Sequence, residues 1–159
     1  MKNPFAVITF AAIISVLIVA LPNSALAQTV FAIDDDLKKY WLIERVASDY
    51  PKIALRNSTV GCITIGYFIQ PDGSTDDYKV LAAIPRSRVF VDSALDALKK
   101  FTFIPSERKP EKIKVFTMNT FVYLIMTGND KRDESRFKQL NGTCKSEALE
   151  LLGKGTSET

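Results

Sequence analysis

Residues 61–82 read GCITIGYFIQPDGSTDDYKVLA, and this stretch decides the fold. Apolar residues alternate with other residues on both sides of a Pro-Asp-Gly turn, which is the pattern of two β-strands joined as a hairpin. Gly73 supplies the positive φ angle that tight turns require. We therefore expect a hairpin whose first strand has one packed face and one partly open face. The packed face carries Ile63, Ile65, Tyr67 and Ile69.

The residues after the hairpin add a helix and a third strand. From about Ser87 the apolar period becomes helical, and Pro85 ends the strand before it. A segment with two prolines then leads to residues 112–127, a long strand with apolar residues in both phases. Either a bulge near Asn119 and Thr120 or apolar side chains on both faces explains this mixed phase. The resulting order is β-β-α-β, and the stripe of the helix consists of Val91, Ala94, Leu95 and Leu98.

The segments that flank this core are less regular. Residues 34–36 are three aspartates that precede good helix formers, so we expect a helix from about Asp35 to Ser48. A short turn of helix is expected after the Tyr50-Pro51 pair. Residues 128–159 are rich in charge, and we expect a tail with one short helix over residues 146–152 and disordered final residues.

The first 27 residues have the organisation of a secretory signal peptide. One lysine precedes an apolar run from Phe5 to Leu21, and Pro22 and the small-x-small pattern of Ala25 and Ala27 follow directly. We expect cleavage after Ala27 and export from the cytoplasm. The alternative is an uncleaved anchor, because the run is about as long as the shortest membrane-spanning helices, roughly 17 to 25 residues.

Composition argues against several classes of function. The net charge is only +3, so no basic field favours a nucleic acid as partner. The sequence has no histidine, which removes Ser-His-Asp and Cys-His nucleophiles and histidine metal ligands. The acidic groups stand where helix caps and turns need them. We therefore expect one domain without enzymatic activity, metal site, cofactor or small-molecule substrate.

A set of short motifs follows a defined order between residues 50 and 127. They are the Tyr50-Pro51 pair, the alternating strand opened by Gly61, the Asp-Gly turn, the amphipathic helix and the aromatic-x-Phe-x-Pro exit at residues 101–105. In this order and spacing they resemble the TonB C-terminal domain. Phe101 stands where that family usually has tryptophan.

The resemblance implies the fold and a binding mode more directly than it implies energy transduction. The family's energy transducers are expected to have a lasting membrane anchor, with polar residues that couple it to the ExbB-ExbD motor, and a long proline-rich spacer. The sequence shows neither pattern, and its leader resembles a removable one.

We expect the fold class α+β, as a small two-layer sandwich of one helix on a three-stranded mixed sheet with strand order 2-1-3. A right-handed crossover through the helix places the last strand parallel to the second and leaves the first strand in the centre. The expected organisation is a leader (1–27), an N-terminal helical segment (28–49), the TonB-like domain (50–127) and the charged tail (128–159).

The two cysteines, Cys62 and Cys144, belong to a chain expected to reach an oxidising compartment, where a disulfide is the usual state. The alternative is two free thiols, with Cys62 a small buried apolar residue. On the expected topology the end of the last strand lies beside Cys62, and Cys144 follows a short loop later. We predict a Cys62–Cys144 disulfide that ties the charged tail to the sheet.

The last strand is expected at an edge of the sheet, where its backbone can pair with an extended peptide. The TonB family is understood to bind the short box of outer-membrane receptors in this way, so the resemblance implies the same surface here. We expect a periplasmic protein-binding module for transmembrane transport, with an outer-membrane receptor or another envelope protein as partner. The predicted contact residues are Val115, Thr117, Asn119, Phe121 and Tyr123.

Two alternatives remain at this point. The domain is structural or self-associating, as a homodimer through the same edge, and has no role in energy transduction. If the leader is kept, the chain is anchored in the inner membrane and faces the periplasm.

Overall fold

The computed structural model describes residues 28–109 and 113–155. The predicted leader, with its cleavage site at Ala25 and Ala27, and the final residues 156–159 lie outside the described residues. In chain order the elements are β1 (Gln28–Phe31), α1 (Asp34–Lys38), β2 (Trp41–Glu44), α2 (Lys52–Arg56), β3 (Gly61–Ile69), β4 (Thr75–Ile84), α3 (Val91–Leu98), β5 (Thr102–Pro105), β6 (Ile113–Tyr123) and α4 (Asp130–Gly155).

Four strands form the main sheet, in the order β1-β6-β3-β4. β3 is antiparallel to both β4 and β6, so those two strands run parallel and are connected through α3. The predicted α+β class and the central position of the first hairpin strand are confirmed. The predicted number of strands is wrong, because β1 adds a fourth strand parallel to the first four residues of β6. A stretch as short as β1 carries too little pattern to identify a strand.

The main core lies between this sheet and α3. Ile63, Ile65 and Ile69 of β3 are fully buried, as are Ala94 and Leu98 of α3. These residues belong to one apolar cluster, so the packed face predicted for the hairpin is the one that forms the core. The hairpin turn has the expected positive φ at its glycine, 89°.

The predicted helix over residues 35–48 is wrong. Helix α1 ends at Lys38, and β2 follows and pairs antiparallel with β5 in a second, two-stranded sheet. Trp41 is buried and meets Phe103 edge-on, with ring centroids 6.4 Å apart, whereas the neighbouring Leu42 is exposed. Burial of the indole and pairing with a distant strand outweigh the helix propensity of these residues.

Helix α4 covers the second face of the sheet, the face expected to be partly open. It is 26 residues long and contacts β3, β4 and β6. The expectation that the charged residues form a tail with only a short helix over residues 146–152 is therefore wrong. The predicted two-layer sandwich is wrong as well, since α4 makes a third layer. Charged side chains surround its narrow apolar stripe and dilute the helical pattern in the sequence. The stripe consists of Leu140, Cys144, Ala148 and Leu152.

The start of α4 is tied to the loop that precedes it. The side-chain carbonyl of Asn129 accepts a hydrogen bond from the Arg132 backbone N–H at 3.0 Å. The buried carboxylate of Asp133 accepts the backbone N–H and the hydroxyl of Thr127, both at 2.9 Å. Burial raises the pKa of Asp133, but these hydrogen bonds and the charge of Arg136 lower it by more. The pKa therefore lies below its ordinary value.

The middle of α4 is tied to the sheet by a disulfide. Cys62 and Cys144 are joined with an S–S distance of 2.07 Å and a Cα–Cα distance of 6.2 Å. The two residues are 82 positions apart in sequence, and both are buried. The disulfide expected from the sequence is thus present, but it fastens a packed helix to the central strand and not a loose tail.

Loss of the disulfide should weaken the protein without changing its fold. Replacing both cysteines, as C62A/C144A, should lower the free energy of unfolding by about 2 to 4 kcal/mol, because the unfolded chain regains the freedom of a long loop. Urea unfolding with and without reductant measures this. Reductant should weaken the wild type by a similar amount and leave the double variant unchanged. Two reactive thiols in oxidised, denatured wild type would contradict the disulfide.

The lowered pKa of Asp133 should make the attachment of α4 depend on pH. The unfolded carboxyl titrates at its ordinary, higher pKa, so the folded carboxylate stabilises the protein above that pH. This contribution is lost as the pH falls through the lower folded pKa. Thermal unfolding from about pH 7 to 2 should therefore show the wild type approaching Asp133→Asn in stability. Glu134→Gln, in an exposed ion pair, is the control and should change little. A constant difference between wild type and Asp133→Asn over that range would refute the assignment.

Candidate partner-binding edge

The strands on the two sides of β3 differ in regularity. β4 has two register irregularities against β3, and Asp77, beside the second, has a φ of 54°. Asp76 and Lys79 are exposed on the same strand. Bulges and exposed charges on an outer strand discourage addition of a further strand. β6, by contrast, pairs with β3 without interruption from Val115 to Tyr123, so its side of the sheet is suited to strand addition.

β1 covers only the first part of β6. The chain turns away after Ala32, whose backbone N–H donates to the Phe116 carbonyl at 3.1 Å. Successive residues of a strand point their backbone N–H and C=O groups to opposite sides. The backbone carbonyl of Phe116 points toward β1. The backbone groups of Met118, Thr120 and Val122, which follow at every second residue, therefore point to the same outer side. In the described part of the chain no strand pairs with these three residues there, and we call residues 118–122 the open edge.

The five predicted contact residues lie on β6, but their side chains do not face outward. Val115, Thr117, Phe121 and Tyr123 are buried, and only Asn119 is partly exposed. The apolar members belong to the main core, so the Phe121 and Tyr123 rings cannot supply the side-chain selectivity expected of them. The expectation that the whole strand is an edge is also wrong for its first four residues, which β1 covers.

Sequence reasoning missed the alternate set, Met118, Thr120 and Val122. Their side chains lie on the α4 side of the sheet, where Met118 and Val122 pack near the disulfide. The Thr120 hydroxyl is 2.8 Å from that of Thr64 on β3. Apolar residues occur at both odd and even positions of β6, and this sequence pattern indicates that both faces of the strand are packed. The pattern does not show which positions have their backbone N–H and C=O groups on the outer side of the sheet.

A cavity of about 370 Å³ lies beside the open edge. Residues 45–47 and helix α4 contribute to its lining, as do residues 118–121 of β6. The Lys145 ammonium of α4 donates to the Asp34 carboxylate of α1, and Arg45 lines the same cavity. The lining therefore holds two cationic side chains and one carboxylate, a balance that favours an acidic group on a ligand.

Aromatic rings hold segment 45–50 against the end of β6. Phe90 and Tyr123 stack with centroids 4.2 Å apart, and Tyr50 meets both rings edge-on. The Tyr123 hydroxyl lies 2.6 Å from the Ser48 hydroxyl. Burial raises the pKa of Tyr123 and, more strongly, that of Tyr67, which also lines the cavity. Both phenols therefore stay protonated at neutral pH and remain hydrogen-bond donors.

The described residues hold neither a metal cluster nor a membrane-spanning helix. Within residues 28–109 and 113–155, no group of three or more His, Cys, Asp and Glu residues is placed to hold a metal ion. Nor does any helix in that part of the chain combine the length and the apolar character needed to cross a membrane.

Comparison with known families matches residues 46–124 to the C-terminal region of the Gram-negative bacterial TonB protein. Residues 46–124 form a TonB C-terminal domain. A TonB C-terminal domain is a periplasmic module that interacts with other envelope proteins and is not an enzyme. β1, α1, β2 and α4 lie outside the matched residues.

Similarity to individual proteins is limited. No curated protein matches the chain. Among solved structures, the solution NMR structure of the Pseudomonas aeruginosa TonB CTD matches at 25% identity, over 62% of this chain and 95% of that chain, with a TM-score of 0.47.

Proline substitutions should distinguish the two sides of β6 in this TonB C-terminal domain. Phe121→Pro removes an N–H that pairs with β3. It should lower the free energy of unfolding by about 1 to 3 kcal/mol beyond the effect of Phe121→Ala, because a buried carbonyl of β3 loses its donor. Met118→Pro removes an N–H on the open edge and should cost little beyond Met118→Ala. Urea unfolding followed by far-UV circular dichroism measures all four variants. Equal proline effects at the two positions would contradict the assigned backbone directions.

Proposed function

We propose that this chain is a periplasmic protein-binding module that takes up an extended segment of a partner along β6. The partner we propose is an outer-membrane receptor or another envelope protein in TonB-dependent transport. Membership of residues 46–124 in the TonB C-terminal family supports this role. The observation that carries it is the contrast between the bulged, charged β4 and the uninterrupted β6.

Backbone hydrogen bonds would supply much of the affinity. Met118, Thr120 and Val122 offer three outward N–H and C=O pairs, which an extended peptide completes as an added strand. Both faces of β6 are packed, so selectivity falls to groups beside the strand. Arg45 and Lys145 line the adjoining cavity and would attract an acidic side chain of the partner.

A second copy of the chain is a weaker candidate for the same edge. Two open edges of residues 118–122 could pair antiparallel, but a strand pair of this length buries far less than the roughly 800 Å² per partner of a standard interface. A dimer would therefore need contacts elsewhere. Binding of a receptor peptide requires only the open edge and the cavity beside it.

Binding of a receptor peptide tests the proposal. The probe is a fluorescent synthetic peptide carrying the short box of an outer-membrane receptor from the same cell, and anisotropy is the readout. Met118→Pro removes one open-edge donor and should weaken binding by about tenfold. A lost hydrogen bond between uncharged groups costs about 1 kcal/mol, and displacement of the bound strand adds to that cost. Met118→Ala keeps the backbone N–H and should bind like the wild type.

Two results would count against the proposal. Met118→Pro that is folded by circular dichroism and binds as well as the wild type would exclude the open edge. Sedimentation that shows a stable dimer of the wild type, abolished by Met118→Pro, would favour self-association in place of receptor binding.

A further inference from the structure

Strand β1 covers residues 113–116 of β6, directly before the open edge of residues 118–122 to which the proposed function assigns the partner. It pairs in parallel with β6, from Gln28 beside Ile113 to Phe31 beside Phe116. Its other side has no strand neighbour among the described residues, so it is an added strand at the end of the sheet. The chain thus contains, in its own residues, an example of what this edge accepts.

The contacts that hold β1 are few. Gln28 and Thr29 are exposed, Val30 is half-buried, and the Phe31 ring is 49% exposed although it lies 5.9 Å from the Phe116 ring. Only Ala32, directly after the strand, is buried. A four-residue parallel pair with so little buried apolar area is weakly held. The pairings of β3 with β4 and β6, which form the rest of the sheet, do not involve β1.

An ion pair fastens the end of this strand beside the open edge. Asp34 accepts a hydrogen bond from Lys145 of α4, and both residues line the cavity next to residues 118–121. Asp34 also has a φ of 52°, in a region that non-glycine residues seldom occupy. Its side chain is 66% exposed, so the ion pair is open to solvent and salt. The fastening is therefore of a kind that a competing acidic ligand can replace.

We propose that residues 28–34 are an internal ligand of the β6 edge, which a partner peptide of the same pattern displaces. This inference rests on the proposed function and specifies the partner. The partner strand runs parallel to β6 and places a branched apolar side chain toward the core, as Val30 does. An aromatic or large apolar side chain follows at the position of Phe31, then a small residue at that of Ala32. Two residues later an acidic group takes the place of Asp34 on Lys145.

A matched pair of proline variants tests the displacement. Because the Ala32 N–H points to β6, the Val30 N–H two residues earlier does so as well, while the Thr29 N–H points away. Val30→Pro should therefore release the strand, and Thr29→Pro should leave it in place. The proteins are full chains purified after export. The probe is a fluorescent synthetic peptide of residues 28–34, QTVFAID, with an amidated end.

We expect Val30→Pro to bind this probe at least about tenfold more tightly than the wild type, and Thr29→Pro to bind it like the wild type. A probe with Asn in place of Asp34 should bind more weakly than the parent probe at low salt, and the difference should shrink at high salt. Equal binding by all three proteins, or no binding by any, overturns the internal-ligand proposal. An equal gain in both proline variants overturns it too, because the effect then does not come from pairing with β6.

Hydrogen exchange of the unmodified chain gives a second test that does not depend on folding of the variants. Saturation with the receptor-box peptide should increase exchange in residues 28–33 and leave residues 61–69 protected. Unchanged exchange in residues 28–33 with the receptor peptide bound overturns displacement but leaves the proposed function standing. Failure of the receptor peptide to bind either the wild type or Val30→Pro overturns both.

Discussion

The uninterrupted pairing between β3 and β6 is the constraint on which the rest of the structure depends. It holds nine consecutive residue pairs in one register, from Gly61 beside Tyr123 to Ile69 beside Val115. A slip of one residue would exchange the two faces of a strand. The register therefore decides that Cys62 faces α4, where its disulfide partner lies, and that Tyr123 faces the main core. It also decides which backbone groups of β6 remain on the outer side.

The parts of the fold that could be predicted from sequence are those with a strong local signal. The alternation on both sides of the Pro-Asp-Gly turn identifies β3 and β4, and the apolar stripe identifies α3. β2 has no such signal, because it is a strand through its pairing with the distant β5, against which Trp41 packs on Phe103. α4 has a narrow apolar stripe among many charged residues. This stripe predicts a packed helix only when the second face of the sheet is already known to be uncovered.

The proposed binding edge was predictable to the level of the strand but not to the level of the residue. The topology rules place the last strand next to the hairpin, and the pairings agree. The apolar residues of β6 occur in both phases, so sequence alone does not separate core positions such as Phe121 from positions such as Met118 whose backbone faces outward. Covered faces on both sides, and not a bulge, account for the mixed phase. The presence of β1 depends on four residues distant in sequence, which no local pattern connects to Phe116.

Helix α4 lies outside the family-matched residues, yet it forms one wall of the proposed site. It is held at three places that differ in accessibility. The carboxylate of Asp133 at its start is buried, and the disulfide of Cys144 in its middle is buried and covalent. The Lys145–Asp34 ion pair is exposed to solvent, where an ion pair contributes little to stability and is screened by salt. The two buried ties keep the wall in position, so the exposed tie can open without loss of the fold, and it is the tie that joins α4 to the segment carrying β1.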